Sequence, residues 1–341
     1  MVSDALLDDA NARLPRGYRA RVFEDADREP IVAAGNSEAH PMERESASEW
    51  RFWEQRVDDP ARKRITITTA GGAIVGTASI AVGMMARPDG AQFVGLGVFK
   101  DHRRRGIGGA LVDALEAEAK RRGVGRLLSG ASASRPFALE FAQKRGYREI
   151  GRRIMSYREL ASFEPERWQD AMTRVARENI VFRTFAEILA GKSEGEQERF
   201  WRALWEAEGP MWDDIPFSSP TPHWPYDKFR KLMVDNPQIR RDLSLVAYHG
   251  DSIVGYTSTG QSDEDGHTYM TGVAREFRGK GIARALKVDA LARAKAAGLR
   301  AMKTTNDEPN KAMRGVNINL GYQPVPDHVE LERRLSGVGS V

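Results

Sequence analysis

A short basic run laced with glycine occurs twice in this 341-residue chain, as Arg103-Arg104-Arg105-Gly106-Ile107-Gly108 and as Arg278-Gly279-Lys280-Gly281-Ile282-Ala283, and Gly281 stands 175 positions after Gly106. The same spacing carries Gly123-Val124 onto Gly298-Leu299 and Gly146-Tyr147 onto Gly321-Tyr322. A register kept over so many positions marks a duplicated domain, and the chain length suits two cores better than one. Ile74-Val75-Gly76 meets Ile253-Val254-Gly255 at a slightly larger spacing, so the first copy carries a few extra residues ahead of its run, where a hairpin loop tolerates them.

An apolar segment precedes each run, Phe93 to Phe99 and Thr268 to Val273, and helical spacing follows it. Ile107, Ala110, Leu111, Ala114 and Leu115 carry that spacing in the first copy, and Ile282, Ala285, Leu286 and Ala290 in the second. The order is strand, turn, helix. Glycines there remove the Cβ atoms that would hold a ligand off the backbone, so N–H groups at the helix start can converge on one anion. The helix dipole and the flanking Arg and Lys side chains add to the attraction, and a pyrophosphate fits such a turn. Neither a G-x-x-x-x-G-K-[ST] string nor a three-glycine G-x-G-x-x-G turn is present, which argues against ATP hydrolysis and hydride transfer.

With those residues in view, each half resembles a GNAT acyltransferase, and the whole resembles a tandem GNAT protein, similar in layout to mycothiol synthase. The resemblance implies an α/β (α+β) fold of two tandem GNAT-like domains, each a mixed, largely antiparallel sheet flanked by helices. It implies acetyl-CoA as co-substrate, gripped at Arg103, Arg104, Arg105, Gly106, Ile107 and Gly108 and at Arg278, Gly279, Lys280, Gly281, Ile282 and Ala283. It also implies carbonyl polarisation by a backbone N–H at a strand bulge, expected at Val98 or Val273, and a late helix opened by an Asn that lines the cofactor. Asn310 fills that last place in the second half, whereas Arg135 stands there in the first. The family's proton-donating Tyr, five residues before the Gly-aromatic ending, is replaced by Asn317 in the second half and by Ala142 in the first. Asn317 can donate a hydrogen bond to developing charge, and Ala142 cannot, so the second half is the expected catalyst.

No strand residue of the motif offers a general base. Asp213, Asp214, His223 and His267 are the candidates, of which Asp213, Asp214 and His223 lie in a proline-rich segment from Gly209 to Pro225 that also holds Trp212, Phe217 and Trp224. In the family, the loop between the first two helices commonly lines the acceptor pocket. The expected function is an acetyl-CoA-dependent N-acetyltransferase acting directly on the amine of a small molecule. Two other readings stay open: a non-catalytic acyl-CoA-binding or sensing protein, and acetylation of a sugar-like amine as in mycothiol synthase.

Cysteine is absent, which excludes disulfides and an acyl-cysteine intermediate, so acyl transfer would be direct. The six histidines show no metal-binding spacing, and no metal is expected. Although the net charge is +4, 52 basic residues face 48 acidic ones and the densest basic run lies on the proposed pyrophosphate turn, so no nucleic-acid partner is expected. The longest apolar stretch, Ala78 to Ala86, is too short to cross a bilayer, and the acidic N-terminus lacks the order of a secretory signal. A cytoplasmic monomer or homodimer without membrane contact is the simplest expectation. The domains are expected at 15–162 and 179–337, with a polar tail before Pro15 and a connecting segment at 163–178.

Overall fold

The computed structural model describes residues 4–57, 59–83, 87–217 and 221–336, and the chain forms two compact units, Met1–Arg152 with Pro326–Val341 and Arg153–Val325. The first unit runs through α1 (Ala5–Arg13), β1 (Tyr18–Val22), α2 (Arg28–Asn36), α3 (Ala47–Val57), β2 (Lys63–Thr69), β3 (Ile74–Ala81), β4 (Gln92–Val98), α4 (Ile107–Arg121), β5 (Arg126–Ser132) and α5 (Pro136–Lys144) into β6 (Arg148–Glu159), which spans the boundary between the units. The polar tail expected before Pro15 is therefore mostly helix. Asp4 caps it by accepting from the Leu6 N–H, and Leu6 and Ala10, four residues apart, are fully buried in the core beside Leu111 and Leu115.

The second unit continues with α6 (Gln169–Arg177), β7 (Ile180–Thr184), α7 (Phe185–Leu189), α8 (Glu194–Asp213), α9 (Tyr226–Phe229), β8 (Leu245–His249), β9 (Ser252–Ser262), β10 (Asp265–Val273), α10 (Ile282–Ala296), β11 (Ala301–Asp307), α11 (Lys311–Asn319) and β12 (Gln323–Pro324). The last strand, β13 (His328–Arg334), pairs with β5 and belongs to the first unit. Helix α6 holds the same place before β7 that α1 holds before β1. It buries Ala171 and Val175, so the segment expected as a connector is part of the second unit.

The strands of the first unit follow the order β1-β2-β3-β4-β5-β13 and those of the second the order β7-β8-β9-β10-β11-β6, with β12 also on β6. Neighbours are antiparallel except β4 with β5 and β10 with β11. Each unit therefore takes its sixth strand from outside its own repeat: the first from the chain end, the second from residues 153–159 before its first helix. The units are thus cut at Arg152 and Val325 instead of at the repeat boundaries, and residue 337 lies outside the described residues.

Candidate functional site

The two parallel strand pairs part soon after they begin. β10 pairs with β11 from Asp265 opposite Ala301 to Thr268 opposite Thr304 and no further, and β4 pairs with β5 only at Gln92 and Phe93. In the second unit, the pairing of β10 with β9 also shifts register between Thr268 and Met270, leaving Tyr269 as the extra residue of a bulge at the point of parting. The pairing of β4 with β3 runs through without a shift. The bulge therefore lies at Tyr269, four residues before the expected Val273, and the first unit has none at Val98. Val273 and Val98 keep another role. The Ala274 N–H donates to Val254 O and the Phe99 N–H to Val75 O, so by the alternation of a strand the N–H groups of Val273 and Val98 face away from that neighbour, into the gap.

At the far end of each gap stands the glycine-laced turn. Gly106 and Gly281 are the N-cap residues of α4 and α10, both left-handed with φ +89°, and neither helix has a side-chain cap. Two residues earlier, the backbone is left-handed again at Gly279 and, in the first unit, at Arg104. The first N–H groups of each helix are thus left to an external acceptor, while Ile107 and Ile282, each 1% exposed, pin the turn to its core. The leading arginine is fixed alike in both copies. Arg103 Nε donates to Val98 O at 2.8 Å and Arg278 Nε to Val273 O at 3.0 Å. Each guanidinium also pairs with a carboxylate just past the end of a helix, Arg103 with Glu38 and Arg278 with Asp214.

That pairing changes the reading of Asp214. Its carboxylate accepts from both Arg275 and Arg278, which holds its pKa far below the ordinary range and leaves it no strength as a base. It positions Arg278 instead. Lys280 pairs with Glu178 at 2.7 Å, and Arg174 Nη2 donates to Gly279 O at 3.0 Å, so the end of α6 braces the second turn. In the first unit, Arg105 reaches Tyr18 Oη at 3.3 Å, the Arg103 guanidinium lies 4.1 Å from the Phe137 ring centre, and Arg135 donates to Gly35 O. A Cβ on Gly108 would stand 3.2 Å from the Phe141 ring, so an aromatic side chain fills the space beside that turn, whereas the repeat places Val316 at the corresponding position.

The acid–base groups of the second unit gather on α8. This helix runs through Pro210 to Asp213, which shortens the expected proline-rich loop; Pro220 lies outside the described residues. Glu208, 1% exposed, accepts from the Tyr256 hydroxyl on β9, and its other oxygen lies 3.3 Å from His223 Nε2. The His223 ring stacks on Trp205 at 5.6 Å and lies 5.9 Å from Trp212, which in turn lies 5.1 Å from Trp224. Tyr256 is opposite Gly272 of β10, and a Cβ on Gly272 would stand 2.8 Å from Met211 Sδ, so this chain of polar groups borders the strand that parts. Burial and the adjacent carboxylate push the Tyr256 phenol well above its ordinary pKa, which keeps it a hydrogen-bond donor to Glu208.

The remaining candidates are placed less favourably for chemistry. Asn317, 2% exposed, donates its amide to Asn306 Oδ1 at 2.7 Å, so a donor expected to face developing charge is already engaged. Asn310 caps α11 by accepting from the Met313 N–H. His267 is pushed down to about 4 by desolvation and by Lys303, Lys287 and Arg153, which makes it a weak base at neutral pH. Sequence reasoning missed Glu208, Tyr256 and the bulge at Tyr269.

A family model described as the acetyltransferase (GNAT) family matches residues 24–147 and 199–322. The chain is 27% identical to mycothiol acetyltransferase of Parafrankia sp. (strain EAN1pec) over 289 residues, 80% of this chain and 83% of that protein. Among solved structures, a GCN5-related N-acetyltransferase from Sphaerobacter thermophilus superposes with a TM-score of 0.71 at 21% identity, covering 94% of this chain and 96% of that one. A tandem GNAT protein from the clavulanic acid biosynthesis pathway gives 0.67 at 19% identity, covering 93% and 98%. These structural likenesses show the fold. No helix among the described residues is long and apolar enough to cross a membrane.

Proposed function

The chain belongs to the acetyltransferase (GNAT) family, and on that premise we propose that its second unit transfers the acetyl group of acetyl-CoA directly to the amine of a small molecule. One contrast carries the assignment to that unit: among the described residues, only there does the parting strand bulge, at Tyr269, with a buried carboxylate bordering that strand and holding a histidine. In this reading the pyrophosphate rests on the uncapped start of α10 between Gly279 and Ala283, with Arg278 and Lys280 beside it. The thioester carbonyl is polarised by strand N–H groups that face the gap, Val273 among them. His223 takes the proton of the attacking amine while Glu208, anchored by Tyr256, orients the ring and stabilises its charge. The tryptophans around His223 offer flat apolar faces to the rest of the acceptor.

The relative named mycothiol acetyltransferase supports a second reading, in which the acceptor amine sits on a sugar-like molecule, since Trp205, Trp212 and Trp224 provide faces on which a sugar ring can stack. The test is calorimetric titration of acetyl-CoA into the wild type and two variants. Gly281 is a poor site to change, because φ +89° strains any side chain there. Ala283→Glu instead puts a negative charge at the second residue of α10, and Gly109→Glu does so at the third residue of α4, where a Cβ meets nothing within 4 Å. Loss of about tenfold or more in affinity, roughly 1.4 kcal/mol, is expected from Ala283→Glu alone. Loss confined to Gly109→Glu would reverse the roles of the units, and a wild type that binds nothing would end the acetyl-CoA reading. Binding without turnover on a panel of small amines would favour a sensing protein.

A further inference from the structure

We propose that Lys287 delivers the proton to the departing coenzyme A thiolate in the second unit. The inference rests on the acetyl-transfer reading above and supplies the acid that Asn317 cannot. Ala283, Lys287 and Leu291 repeat every four residues and therefore share one face of α10. Leu291 and Val288 share a core cluster with Leu320 and Tyr322, the residues that follow α11, and Lys287 sits one turn below the pyrophosphate end of the helix. Its side chain is 2% exposed, with Nζ 4.9 Å from the centre of the Tyr322 ring, and among the described residues it has no ion-pair partner.

An unpaired buried ammonium is costly, and folding does not ask for one here. The repeat places Val112 at the same position of the first unit, 3% exposed, where an apolar side chain serves. Two further polar atoms nearby are poorly satisfied. Asn317 Oδ1 is buried without a hydrogen-bond partner, Tyr322 Oη is buried with only the Thr268 hydroxyl beside it, and the backbone joins the two residues through Tyr322 N–H to Asn317 O. Thr268, the last residue of β10 paired with β11, lies beside the Tyr322 hydroxyl. Unsatisfied groups of this kind are rare in folded proteins and call for an occupant. Here they converge where the strands part, which is the path from the pyrophosphate turn to the bulge.

The Tyr322 ring after α11 stands beside Lys287 Nζ, with Arg158 of β6 acting on its phenol, and His267 on β10 feels the charges of Lys287, Lys303 on β11 and Arg153 on β6. The carboxylate of this strand end, Asp265, is held by Lys303 and Arg300. Desolvation brings the Lys287 ammonium down to about 7, so it can release a proton near neutral pH. Burial drives the Tyr322 phenol the other way, which disqualifies it as the acid. In the step, the amine nitrogen bonds to the thioester carbon and the C–S bond breaks with its electron pair on sulfur. Sulfur takes a proton from Lys287 Nζ, leaving a neutral amine that water reprotonates.

The test needs no acceptor. Coenzyme A itself, with its free thiol, is bound to the wild type and to Lys287→Met, and thiolate absorbance is followed against pH while calorimetry reports affinity. Because a thiolate beside Nζ keeps the ammonium protonated while the ammonium favours the thiolate, the two groups titrate together, and the wild type should lower the thiol's apparent pKa by about 1 unit or more relative to free coenzyme A, a shift that Lys287→Met should abolish while still binding. Thermal melts establish that the variant is folded, and Lys287→Gln provides a second one. Equal thiol titration in wild type and variants overturns the proposal. Failure of the wild type to bind coenzyme A would show in the calorimetry and would remove the acetyl-CoA reading along with the proposal.

Discussion

A single side chain, Lys287, also gives the molecule a stability signature that can be read without any ligand. Its ammonium titrates near 7 in the fold and near 10.4 in an unfolded chain. Between those values the unfolded chain binds a proton that the native state does not, so this residue makes wild-type stability rise as pH rises from about 7 toward 10. Lys287→Met lacks that contribution. Urea unfolding should therefore show the variant more stable at pH 7 by a margin that shrinks steadily toward pH 10, and a margin independent of pH would mean that Lys287 is not desolvated. At this scale the sequence was partly legible. Glycines that must be left-handed stand out, and so do the uncapped helix starts that they open. Glu208 did not, because it follows Glu194, Glu196, Glu198 and Glu206 on the same helix and reads as one more solvated carboxylate among them. Tyr256, from a strand 48 residues away in sequence, and His223 make Glu208 a buried, paired carboxylate. Asp214 failed as a base for a similar reason, since both arginines that neutralise it, Arg275 and Arg278, come from beyond β10.

Among the elements, the strand-turn-helix core of each unit could be read from spacing, and the opening helices could not. α1 and α6 lie at different spacings from the glycine register, and each buries only two residues, too few to stand out from a polar tail or a linker. The bulge was misplaced because a register shift depends on the partner strand: β9 sets Thr259 opposite Thr268 and Ser258 opposite Met270. The burial of Leu6 gives α1 a measurable role. It is 0% exposed, and Leu6→Ala should cost the first unit about 2 to 5 kcal/mol, the range for emptying a core leucine site. Denaturant unfolding followed by hydrogen exchange checks this. Amides of β1 to β4 should lose protection at lower urea than in the wild type, and those of β7 to β10 should be unaffected. A change below about 0.5 kcal/mol would make α1 a surface appendage.

For the whole molecule, duplication predicted two domains, but it placed both ends of each domain within one repeat. The structure instead completes the first unit with the last strand of the chain, and the physical reason lies in how weakly β5 is held without it. β5 meets β4 at only two positions, because those strands part, whereas β13 pairs with it along seven, from His328 opposite Ser132 to Arg334 opposite Arg126. Val329 and Leu331 enter the first core at 1% and 3% exposure, and Glu332, 3% exposed, binds Arg126 and Arg148. A repeat search cannot see this, since which sheet a terminal strand joins is decided by pairing and not by its place in sequence. Ending the chain at Val325 should therefore strip the first unit of its sixth strand while leaving every strand of the second. Hydrogen exchange should show β5 amides losing most of their protection while β8 to β10 keep theirs, and acetyl-CoA binding should persist if the second unit is the working one. Retained protection in β5 would mean that β4 alone holds it. Loss of acetyl-CoA binding with β8 to β10 still protected would move the cofactor site to the first unit.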